Sequence, residues 1–157
     1  MQEIIPLAFG AVIGVAVQWV RGPVESDPPW WAAGGDYRLG TRAPELVKAL
    51  MRDTVSFGAR TLRDAAARAS TDLARVTTVA SVQPRGFLPP AIAEYAGLPR
   101  DAAVTTYSQI AHVGACGPVF NLARARDEGR LERGSLCALY AQGAGFTRAA
   151  AILEAAS

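Results

Sequence analysis

The strongest restriction on the fold is an alternation of short apolar or β-branched runs with longer, helix-prone segments. "RVTTVASV" (residues 75–82), "AAVTTY" (102–107) and "SLCALYA" (135–141) have strand character. Between them lie segments that suit helices. "PELVKALMRDTVSFGARTLRDAAARA" (44–69) opens on Pro44 and carries Leu46, Leu50, Val55 and Leu62 at near-helical spacing. "PAIAEYAGL" (90–98) is a brief helix closed by Gly97, and residues 112–129 read as a helix stopped by Gly129. Residues 146–154 are predicted as the last strand, although their Ala content also suits a helix.

The first strand is expected within residues 4–20, "IIPLAFGAVIGVAVQWV". Its uncharged length sits at the lower limit of a membrane span. Gln2 and Glu3 precede it instead of a basic region, Pro6, Gly10 and Gly14 interrupt it, and Val15, Val17 and Trp19 alternate. A buried strand is therefore expected, and no membrane partner. Residues 21–43, rich in Pro, Gly, Trp and Asp, read as a long loop whose Trp30 and Trp31 suit an interface.

The order is βαβαβαββ. It predicts one α/β domain over residues 1–157, with a five-stranded mixed sheet and helices on both faces. The last two strands are antiparallel because only a short loop joins them. Half of the residues are hydrophobic and 19% are charged, which suits a packed core and excludes disorder. Net charge is +2, and the basic residues are dispersed, so nucleic acid is not an expected partner. Cys116 and Cys137 lack CxxC spacing and neighbouring histidines. They read as reduced, buried thiols of a cytoplasmic protein rather than a metal site.

Several motifs give this pattern a family. Residues 97–153, from "GLPRDAAVTTYSQIAHVGACG" to the "GAGFT" loop and the strand after it, resemble the C-terminal stretch of the β-ketoacyl-acyl carrier protein synthase III family. "FGAVIGVAV" (9–17) is similar to that family's "FGDGAGAAV" strand. The resemblance covers nearly the whole chain but only the C-terminal half of a family member, one half-module of the thiolase fold. It implies a complementary N-terminal half bearing the nucleophilic Cys, in a homo- or hetero-oligomer. It also implies acyl-CoA or phosphopantetheine-linked acyl groups as substrates, with no tightly bound cofactor, and acyl carrier protein as a further partner.

The departures from the family pattern are specific. Aligned without a gap from Gly97, the family's "HQAN" turn falls on "VQPR" (82–85). Val82 then stands at the His position and Arg85 at the Asn of that turn. The Asn of the catalytic triad falls on His112, the only histidine of the chain. "AHVGACG" resembles the "GH…GAAG" context of the elongating ketosynthases, which carry His there.

These positions define the candidate site. An imidazole N–H at His112 suits stabilisation of a thioester oxygen, and Gly143, Ala144, Gly145 and Phe146 form a loop whose backbone N–H groups suit the same task. Gly114, Ala115 and Gly117 suit close approach to a second backbone. Arg85 is a candidate for the phosphates of a pantetheine-bearing substrate. Each has a plainer alternative: a satisfied helix-start histidine, a β-turn, a solvated arginine. The expectation is part of an acyltransferase, by acyl thioester transfer or Claisen condensation in fatty acid or polyketide-type biosynthesis, inactive alone. The alternative is a degenerate subunit that supports an active partner.

Overall fold

The computed structural model describes residues 17–21, 37–41, 44–143 and 147–156. A four-stranded mixed sheet carries the architecture, in the order β4-β3-β5-β6. β3 (Val76–Ser81) pairs in parallel with β4 (Ala103–Val104) on one side and with β5 (Leu136–Gln142) on the other. β6 (Arg148–Glu154) returns antiparallel to β5. The α/β class and the antiparallel last pair agree with the sequence expectation, but the strand count does not. β1 (Val17–Arg21) pairs antiparallel with β2 (Tyr37–Thr41) in a separate two-stranded sheet. The expected loop thus contains a strand. Its alternation of Tyr37, Leu39 and Thr41 is masked by the Pro/Gly-rich sequence before it. Residues 4–16, Trp30 and Trp31 lie outside the described residues.

α1 (Pro44–Arg68) buries Thr54, Gly58, Ala59, Thr61, Leu62, Ala65 and Ala66, a helical stripe of small and apolar groups. It packs on β5, β6 and α2 (Leu88–Ala96). Gly58 makes the α1–α2 contact possible, because a Cβ there would lie 2.7 Å from Ile92 Cδ1. α2 starts two residues before the expected position, because Pro89 and Pro90 occupy its first turn, where no N–H is needed. Gly97, at φ 92°, ends it as expected, its N–H donating to Ala93 and Glu94 carbonyls.

The apolar core lies between these helices and one face of the sheet. Leu62, Val79, Ile92, Ala138 and Tyr140 are its most enclosed members. Ala138 and Tyr140 of β5 point into it, so Cys137 and Leu139 point to the other face, where α4 (Gly117–Asp127) packs on β3, β4 and β5. Helices therefore cover both faces. Among the described residues, no helix is long and apolar enough to cross a membrane.

Two expected elements are shorter than the sequence suggests. The strand over 102–107 shrinks to Ala103–Val104, because Thr105 and Thr106 turn their polar groups toward Gln83 and Asn121 instead of a ladder. The helix over 112–129 begins at Gly117. Before it run a single helical turn, α3 (Tyr107–Ile110), and a 3-10 turn (Gly114–Cys116). Positive φ at Ala111 (53°) and Gly114 (59°) breaks any continuous helix there. Gly129, at φ 70°, follows the end of α4 as expected.

Candidate active site

The carboxyl ends of β3 and β5 open into a cavity of about 570 Å³, lined by the segments that follow them. Val82 and Pro84 come from the β3 end, Ala141 to Gly143 from the β5 end, and His112, Gly114 and Ala115 from the loop before α4. Thr147 and Ala149 close the side toward β6. Crevices at the carboxyl ends of parallel strands are where open α/β sheets bind ligands. The lining is mainly aliphatic, with His112, Gln142 and Thr147 as its polar side chains.

His112 is the ionisable side chain of that wall. It is exposed, belongs to no helix, and has no hydrogen-bond partner among the described residues. The structure thus separates it from the expected helix start: its ring hangs from a loop, five residues before α4. Gly114 serves its positive φ, with open space around it. Gly117 lies beside β3, but a Cβ there would stand 3.6 Å from Val82 Cα, an ordinary contact, so close approach does not require it.

Gly143 reaches the cavity as expected. Its N–H donates to Thr147 O at 2.9 Å and closes the β5–β6 hairpin. That donor is engaged; Ala144, Gly145 and Phe146, the other candidates of this loop, lie outside the described residues. Arg85 is exposed and is not among the residues lining the cavity, one position beyond Pro84, which is. Val82, read from the resemblance as standing at the family's His position, is 2% exposed and presents an aliphatic wall.

Sequence reasoning missed the polar cluster beneath the site. Gln83 is fully buried, and its Nε2 donates to Ala111 O at 2.8 Å and to Thr106 Oγ1 at 3.0 Å. Its Oε1 accepts from Thr105 Oγ1, Thr106 N and Asn121 Nδ2, each at 3.1 Å. Asn121, also fully buried, accepts from Thr106 N and Oγ1 at 2.9 Å and donates to Ser81 O at 2.8 Å. Every amide atom has a partner, as burial demands. The available signal was the polar Gln83 directly after the β-branched run of residues 75–82, and Asn121 among the apolar residues that open α4.

The cysteines differ from expectation in one case. Cys137 is buried, and desolvation pushes its thiol up to about 11, so it stays protonated and inert near neutral pH. Cys116 is exposed instead of buried, because it caps a helix whose outward side chains are uncovered. It lines a second, apolar hollow of about 370 Å³ with Ala115, Val119, Phe120 and Ala123. Val119 and Phe120 are 62% and 50% exposed. Among the described residues, no group of three or more His, Cys, Asp or Glu side chains could hold a metal ion.

Residues 66–155 match the family profile described as 3-oxoacyl-[acyl-carrier-protein (ACP)] synthase III C terminal. No curated protein matches the chain. Among solved structures, it is similar to 3-oxoacyl-(acyl carrier protein) synthase III, FabH, from Pseudomonas aeruginosa PAO1. That match has a TM-score of 0.68 at 18% identity, over 97% of this chain and 44% of that one. FabH from Thermus thermophilus matches with a TM-score of 0.61 at 20% identity, over 94% of this chain and 45% of that one. An OleA variant from Xanthomonas campestris matches with a TM-score of 0.59 at 17% identity, over 68% of this chain and 31% of that one. The chain thus spans less than half the length of each of these relatives, and at such identities the likeness shows a shared thiolase-like fold.

Proposed function

The chain belongs to the 3-oxoacyl-[acyl-carrier-protein (ACP)] synthase III family through that C-terminal domain, and from this premise we propose that it is the C-terminal half of an acyltransferase. The observation that carries the reading is the aliphatic cavity at the β3 and β5 carboxyl ends, with His112 in its wall. Its substrates are acyl thioesters of CoA or of an acyl carrier protein, and its partner is an N-terminal half that supplies a Cys thiolate.

In the first step that thiolate attacks the carbonyl carbon of the acyl thioester. A new C–S bond forms while the carbonyl electron pair moves onto oxygen. An N–H of His112 donates to the developing oxyanion, which then collapses and expels the pantetheine thiolate. A donor of this kind is worth about 10²–10³ in rate. With Val82 beside the cavity, transfer to an alcohol or amine suits the site as well as Claisen condensation does.

The exposed Val119 and Phe120 supply the partner surface, because apolar side chains grouped on one helix face are characteristic of contact surfaces. The experiment is co-purification with a Cys-bearing N-terminal half, followed by acyl loading of that Cys from acyl-CoA. His112→Ala is expected to slow loading about 10²-fold. Unchanged loading removes His112 from the mechanism.

Val82 favours a second reading, a degenerate subunit that only steadies an active partner. Its aliphatic side chain stands where a family member would present imidazole. Restoring His at position 82 discriminates: higher turnover supports the catalytic reading, whereas no gain leaves the supporting role standing.

A further inference from the structure

Ala111 has φ 53° and ψ −143°, a backbone conformation that glycine tolerates and a Cβ resists. Such a residue persists only where its surroundings hold it. Two hydrogen bonds do so: its N–H donates to Tyr107 O at 2.8 Å, and its carbonyl accepts from Gln83 Nε2 at 2.8 Å. The next residue is His112. Its ring has no hydrogen-bond partner among the described residues, so its placement in the cavity wall depends on the backbone torsions that precede it.

We propose that Gln83, braced by Asn121 and Thr106, is a positioning residue that locks the Ala111 peptide and thereby aims His112 into the cavity. The inference rests on His112 being the reacting group of the proposed acyl transfer. Gln83 is suited to this task because its amide has no freedom of its own. Its oxygen is held by three donors, and its remaining N–H bonds Thr106 Oγ1, which itself donates to Asn121. The amide therefore ties the end of β3, the loop after β4 and α4 to one backbone carbonyl.

The lone histidine makes a direct test available. In the full chain labelled with ¹³C-histidine, NMR gives one imidazole Cε1–Hε1 cross-peak. Gln83→Met keeps the length of the side chain and removes its hydrogen bonds. The expected result is a cross-peak shifted to the position of histidine in a short peptide, with lowered amide order parameters at Ala111 and His112, in a chain still folded by circular dichroism. Thr61→Val is the control. It removes a buried hydroxyl bond to Phe57 O within α1, and should lower stability without moving the histidine signal.

Should Gln83→Met fail to fold, Thr106→Val removes the hydroxyl between Gln83 and Asn121 and should shift the same peak by a smaller amount. An unmoved cross-peak in whichever of these two variants folds overturns the proposal, as does an equal shift in Thr61→Val. The functional premise fails separately: if His112→Ala loads acyl groups normally while the cross-peak still responds to position 83, the positioning stands and the chemistry falls.

Discussion

The two faces of the sheet are built on opposite plans. On the α1–α2 face the contacts are mainly apolar and form a closed core from Leu62 to Tyr140, joined by the buried Arg148 stacked on Phe57. On the α4 face, Pro118 and Ala125 are buried beside a polar contact between Asn121 and Gln83, while α4 turns Val119 and Phe120 to the outside. A helix covering a self-sufficient domain presents its apolar stripe inward. The contrast teaches that one face closes an apolar core, whereas the other joins a buried polar network to exposed apolar side chains.

The largest test of this contrast is in the finished core. Leu62→Ala should cost roughly 2–5 kcal/mol, measured by urea denaturation, because a fully buried side chain leaves a cavity. A loss below about 1 kcal/mol would show that this face is not the main store of stability. Asn121→Ala, on the other face, should cost roughly 1–3 kcal/mol by removing the acceptor of Thr106 Oγ1–H and the side-chain donor to Ser81 O. If it cost more than Leu62→Ala, the ranking of the two faces would be reversed.

β5 offers a smaller, pH-dependent comparison, since Cys137 and Tyr140 point to opposite faces of it. Burial raises the Cys137 thiol from its ordinary value near 9 to about 11, and the Tyr140 hydroxyl from near 10 to about 12. The unfolded chain therefore loses these protons first, and the folded state binds more of them across both windows. Stability falls as pH rises, from about 9 to 11 for Cys137 and from about 10 to 12 for Tyr140. Cys137→Ala should flatten the lower window in a thermal-melt series and Tyr140→Phe the upper one. Unchanged slopes in both variants would contradict burial as their cause.

The smallest expected effect on stability is Phe120→Ser, within about 0.5 kcal/mol, because the ring is half exposed. Its effect on association should be large. Sedimentation velocity of the chain with a Cys-bearing N-terminal half should show weakened binding, and undiminished binding would locate the contact elsewhere.

The sequence carried much of the core fold, because its signals are local. Periodicity located α1, a β-branched run located β3, and an apolar run located β5. Gly97 and Gly129 marked helix ends through a conformation that favours glycine. The resemblance in the "GAGFT" region identified the family and brought His112 forward. What stayed hidden depends on contacts distant in sequence. β2 is recognisable only through its pairing with β1, and Thr105 and Thr106 left the ladder for Gln83 and Asn121. The loop carrying His112 was taken for helix because an alanine at φ 53° leaves no mark in composition.

The apolar face of α4 also bears on the life of the chain in a cell. The folded chain displays Val119 and Phe120, as a damaged protein displays its interior. On the proposed reading, surplus copies would be marked for chaperones and proteases by their surface alone. The level of this half would then be tied to the supply of the other, with no dedicated regulator.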